Sequence, residues 1–129
     1  MNNFKKIIAR AKRNKLQELA DDSFRGPDSD KIREINVKNE GAILGLENDS
    51  GQYTVIGLHG LFIKNSEGHE FFVNFDEAIP YLQENGMKVG KGGNFEFVEF
   101  GPKGLVWMKN GPTMCALWNI VLLMRQRKN

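Results

Sequence analysis

Apolar residues recur with two different periods along this chain, a helical one near each end and a shorter one through the middle. Over residues 3–20, Phe4, Ile7, Ile8, Ala11 and Leu19 fall near one side of a 3.6-residue repeat, while Lys6, Arg10 and Arg13 fall opposite. That spacing predicts an amphipathic helix with its apolar face docked on a body and its basic face in water. Leu16 lies toward the edge of the stripe, and Lys15 intrudes into it, which weakens the pattern there. Residues 21–30, DDSFRGPDSD, break the periodicity with acids, serines, Gly26 and Pro27, and read as a connector. Their aspartates lack the spacing and terminal glutamate of a calcium loop.

From residue 31 onward, short apolar runs alternate with polar, glycine-bearing turns. The expected strands are KIREINV at 31–37, AILGLE at 42–47, YTVIGLHGLFIK at 53–64, EFFVNF at 70–75, FEFVEF at 95–100 and LVWMK at 105–109. The intervening KNEG, NDSG, NSEG and GPKG suit tight antiparallel connections and are too short for parallel crossovers. The long 53–64 run is expected to bend or split near Gly57 or Gly60. Alternation within 70–75 and 95–100 is imperfect, so part of the sheet is expected to be covered on both faces.

Residues 76–86 read as a short helix ending near Gly86, with Pro80 tolerable in a first turn. Asn110-Gly111-Pro112 opens a final helix over 112–125, with basic residues following its end. Apolar side chains occupy nearly its whole circumference. Three placements suit such a helix: the protein core, an interface with a partner, or membrane attachment helped by the basic tail. It is too short for an ordinary membrane span, which needs roughly 20 apolar residues. As an interface it would present Met114, Leu117, Trp118, Val121, Leu122 and Met124. The fold expected is therefore α+β: an antiparallel meander of about five or six strands packed with N- and C-terminal helices. It forms one domain over 1–129, with a basic helix at 1–20, a mainly β region at 31–109 and an apolar helix at 112–125.

Composition narrows the class further. With 40% hydrophobic and 26% charged residues the chain is globular in usage, and its 14 glycines follow no triplet repeat. Cys115 is the only cysteine, so no intrachain disulfide can form; with no apolar leader after Met1, the expected compartment is the cytoplasm. A net charge of +2 conceals +5 over residues 1–20, +5 over residues 100–129 and −8 between them. Basic ends on an acidic body can attract nucleic acid, an acidic protein surface or the chain's own middle segment.

Candidate chemistry is sparse. His59 and His69, the only histidines, would form a metal or acid–base site if the hairpin between them brought them together with Glu67 or Glu70. Hydrogen-bonding at a strand edge explains them more simply. Cys115 near a helix start would need a histidine beside it to act as a nucleophile, and its apolar neighbours favour packing. GMKVGKGG at 86–93 fails the phosphate-loop spacing and precedes a strand, although Lys88 and Lys91 could meet an anion. Asp76 and Glu77 read as helix-start residues, and Glu96 and Glu99 as unpaired acids on opposite strand faces. No catalytic residue, metal ligand or cofactor is expected.

Three classes follow. The leading one is a non-catalytic interaction or regulatory module, an inhibitor, adaptor or immunity-like protein working through a protein partner or as a homodimer. The second is a nucleic-acid-associated protein, with Lys5, Lys6, Arg10, Lys12 and Arg13 on phosphates and the sheet aromatics Tyr53, Phe62, Phe72, Phe95, Phe97 and Trp107 as stacking candidates. The third is a small-ligand binder or enzyme near His59 and His69. Peripheral membrane contact ranks last, and no transmembrane segment is expected.

Overall fold

The computed structural model describes residues 2–87 and 95–126; Lys88 and Lys91 of the glycine-rich stretch, and Arg127 and Lys128 of the tail, lie outside them. The fold is α+β, a five-stranded antiparallel sheet flanked by N- and C-terminal helices. The chain opens with α1 (Asn3–Arg13) and a short α2 (Leu16–Ala20). Asn2 caps α1 by accepting from the Lys5 amide at 2.8 Å. The continuous helix expected over 3–20 breaks where Lys15 adopts a left-handed conformation (φ 58°, ψ 39°). The break re-aims the next turn so that Leu16, at the edge of the regular stripe, becomes fully buried.

Strands β1 (Phe24–Arg25), β2 (Ala42–Glu47), β3 (Tyr53–Gly57), β4 (Gly60–Lys64) and β5 (Glu70–Asn74) pair in sequence order. The 53–64 run splits at its glycines, as the sequence suggests. Two assignments change. Residues 24–25, inside the expected connector, add the short strand β1 to the sheet, with Phe24 opposite Leu46. Residues 31–37, expected as a strand, instead form α3 (Asp30–Lys38). Ile32 and Ile35 are spaced three apart and buried on one side, Ser29 accepts from the Ile32 amide at 3.4 Å, and Asp30 and Lys38 sit at the ends that favour their charges. The Asn36 side chain bonds both the amide and the carbonyl of Ala42, fastening α3 to the start of β2.

After β5, a capping box formed by Asn74 and Glu77 starts α4 (Phe75–Leu82), so Pro80 falls in its second turn rather than the first. A π-helical turn, Gln83–Met87, follows. Strands β6 (Phe97–Glu99) and β7 (Leu105–Trp107) do not extend the meander; they form a separate ribbon. The ribbon is tied to the sheet by the Thr54 hydroxyl on the Trp107 carbonyl (2.6 Å), the Asn65 amide group on the Lys103 carbonyl (2.7 Å) and the Ser66 amide on the Leu105 carbonyl (2.9 Å).

The final helix, α5 (Gly111–Gln126), is the centre of the helical layer, packed by α1, α2, α4 and the π turn. That enclosure explains why it is apolar nearly all round. Among the described residues, no helix is long and apolar enough to cross a membrane.

Candidate functional site

The strand registers sort the meander's side chains into two faces. On the inner face, Leu46, Thr54, Ile63 and Phe71 form one cross-strand row and Leu44, Ile56, Leu61 and Val73 another, joining the main core. On the outer face the rows are Glu47, Tyr53, Lys64 and Glu70, then Gly45, Val55, Phe62 and Phe72. A second, smaller core lies there: Ile32 and Ile35 of α3 against Ala42, Tyr53, Val55 and Phe62.

Helix α3 rests chiefly on β2 and leaves the β4–β5 side of this face open. Between α3 and that side runs a groove with two cavities. The first, about 260 Å³, is lined by Glu34, Lys38, Tyr53, Phe62, Glu70 and Phe72 among others; the second, about 290 Å³, shares Phe62 and Phe72 and adds Leu58 and His59. Phe62 and Phe72 pack at 5.0 Å between ring centroids, tilted by 56°. Their rings lie over the bare backbones of Gly57 and Gly60, where a Cβ would come within 2.7 Å of Phe62 and 2.8 Å of Phe72. Phe72 is nonetheless 43% exposed, and Val37 on α3 is 87% exposed.

The polar end of the groove is a linked set of charges. Lys31 bonds Glu34 at 2.8 Å and Glu47 at 3.2 Å, Arg25 bonds Glu47 at 2.9 Å, and the Lys31 ammonium stands 5.2 Å from the Tyr53 ring centre. The Tyr53 hydroxyl donates to Glu70 at 2.9 Å. Burial, and then that bond to a carboxylate, push the Tyr53 pKa upward. Burial pulls Lys31 downward, but its bonds to Glu34 and Glu47 outweigh this and the net shift is upward. The bond from Lys31, with its charge, holds the exposed Glu34 carboxyl below its usual range. These shifts fix each group in its resting protonation state. Near neutral pH that leaves Tyr53 protonated, Lys31 charged and Glu34 ionised.

The sequence candidates fall elsewhere or apart. His59 lies in the β3–β4 turn and His69 in the β4–β5 turn, at opposite ends of the hairpin and roughly 20 Å apart along it, so no joint site forms. Cys115 is half-buried with its sulfur 3.8 Å from that of Met87, in a setting of packing rather than of a cysteine–histidine pair. Among the described residues, no group of three or more His, Cys, Asp and Glu is arranged to hold a metal. Of the six α5 residues expected at an interface, Met114, Leu117, Val121 and Met124 are buried within the chain's own core, and Trp118 and Leu122 are half-buried.

Ile7 and Ala11 of α1 are buried, while Lys5, Lys12 and Arg13 are exposed and Lys6 and Arg10 half-exposed. None of the ion pairs found among the described residues involves them. The aromatics do not form one stacking platform: Tyr53, Phe62 and Trp107 are buried, Phe95 and Phe97 are half-buried, and Phe72 alone is exposed.

The groove is not legible in the sequence because one of its walls is α3, a segment whose composition predicts a strand. The i, i+3 pair Ile32 and Ile35 behind Ser29 was the available signal. No protein-family model, curated protein or solved structure matches the chain.

Proposed function

We propose that this chain is a non-catalytic protein-interaction module, of the inhibitor, adaptor or immunity-like class, that works through the open half of its outer sheet face. The observation that carries this reading is the exposed Phe72 on edge strand β5, beside a groove that α3 leaves uncovered. Edge strands are commonly blunted by proline, lysine or an overlying element, and β5 has no proline or lysine. An extended segment of a partner protein is the occupant that fits. Its backbone would pair with β5, while alternate side chains would settle on Phe62 and Phe72 and near the Tyr53–Glu70 pair. The lone Cys115 is consistent with work in a reducing compartment such as the cytoplasm.

A photoreactive residue placed at position 72 in cells expressing the chain tests this directly. Protein adducts formed from position 72, and not from the exposed Ser50 position, are expected. Equal or absent crosslinking at the two positions would contradict the reading.

A second reading has its own support in α1. Ile7 and Ala11 of its apolar side are docked and Phe4 is its one exposed large apolar side chain, so Lys5, Lys6, Arg10, Lys12 and Arg13 present charge beside too little apolar surface to insert in a membrane. That arrangement favours the phosphate backbone of a nucleic acid, contacted without base reading. Binding to mixed-sequence DNA or RNA should then weaken steeply with salt, and a Lys5→Gln, Lys12→Gln variant should show a shallower salt dependence. A salt-insensitive interaction, or an unchanged slope in the variant, would rule out this use of α1.

A further inference from the structure

We infer that the segment paired with β5 is β5 of a second copy of this chain, joined about a two-fold axis at Phe72 so that two five-stranded sheets become one of ten. The inference rests on the reading of the outer sheet face as a protein-binding surface and gives that surface its partner.

The direction of the β5 backbone groups follows from its ends. The Asn74 amide donates at 3.3 Å to the Glu77 carboxylate at the start of α4, and so points away from β4. Beyond the strand's other end, the Asn65 amide donates to the His69 carbonyl at 2.9 Å, so the 65–69 pair faces across the hairpin. Antiparallel pairs alternate between those that exchange hydrogen bonds and those that do not. With Ile63 opposite Phe71 and Leu61 opposite Val73, the amides and carbonyls of Phe71 and Val73 are turned toward β4. Those of Glu70 and Phe72 are turned outward, along the sheet's edge.

The same strand is complementary to itself. A two-fold axis at Phe72 sets Phe72 opposite Phe72, Phe71 opposite Val73 and Glu70 opposite Asn74. No like charges meet, and inner-face residues oppose inner-face residues. The outer apolar row then runs without interruption through Val55, Phe62 and Phe72 of one copy into Phe72, Phe62 and Val55 of the other. Moving the axis one residue either way sets Phe72 against Glu70 or Asn74. Moving it to Glu70 opposes two carboxylates, and moving it to Asn74 sets Phe72 opposite Asp76, which lies in α4 and not in a strand. Such an interface is isologous and closes at two copies, so it needs no further chain.

Sedimentation of the purified full chain over a wide concentration range, with amide exchange read at both extremes, tests the inference. The wild type should double in mass as concentration rises, with slower exchange at the Glu70 and Phe72 amides in the doubled form. Phe72→Lys, which places a charge on the edge, should abolish the doubling, whereas Val37→Lys on the exposed side of α3 should not. A single-chain mass at every concentration would overturn the inference, as would doubling that persists in Phe72→Lys or leaves the Glu70 and Phe72 amides unprotected. If the chain is monomeric while position 72 still crosslinks to a different protein, only self-pairing fails; if both are negative, the interaction reading fails with it.

Discussion

Tyr53 shows how one side chain joins packing to charge on the outer face. Its ring belongs to the smaller core, and its hydroxyl reaches Glu70 at 2.9 Å. Because its pKa is raised in the folded chain above the ordinary 10.0, the unfolded chain releases this proton first as pH rises. The associated stability is complete below about pH 10 and declines above it; Lys31, also raised, acts in the same direction. Tyr53→Phe should therefore cost about 1 kcal/mol near neutral pH through the lost hydrogen bond, and should make the alkaline decline shallower. Urea denaturation as a function of pH measures both. Gly60 has a different importance: an added Cβ would overlap the Val73 carbonyl and the Phe72 ring. Gly60→Ala should lower stability by about 1–3 kcal/mol, measurable by thermal unfolding. The sequence marks both residues as members of a glycine-bearing, aromatic strand run. It does not reveal that Phe72 covers Gly60, because that contact depends on the register between β4 and β5.

At the scale of elements, what the sequence reveals depends on whether local pattern or distant pairing decides the structure. The runs at 42–47 and 70–75 are legible because their composition and bounding turns agree, and β2 and β5 occupy them. The final helix is legible from its turn and its length. The segment 31–37 is less so: Ile32 and Ile35 carry a helical spacing, but two isoleucines in seven residues make a weak period, and the partner of Asn36, Ala42, lies outside the segment. Strand β1 is two residues long and exists only through its pairing with β2. Since α3 sets one wall of the groove, its cap is a direct handle on the candidate site. Ser29→Ala should cost about 1 kcal/mol and speed amide exchange in the first turn of α3, leaving β4 and β5 little changed.

The whole molecule separates roles that the sequence leaves combined. An apolar helix can be core or interface, and only the packing of α1, α2, α4 and the π turn around α5 assigns most of its surface to the interior. Leu117→Ala should accordingly destabilise the fold by about 2–5 kcal/mol in a denaturant titration, with no concentration dependence of its own beyond that of the wild type. The uneven charge seen along the chain is also given a place. The ion pairs found among the described residues gather on β1, α3 and β2, while the cations of α1 stand outside them. The central claim concerns the opposite edge of the same outer face, where an aromatic groove adjoins strand β5. Amide hydrogen exchange along β5 in dilute, single-chain protein tests that claim most directly. Fast exchange at Glu70 and Phe72 beside slow exchange at Phe71 and Val73 is the predicted result; equally slow exchange at all four would mean that the edge is already covered within the chain and is not available to a partner.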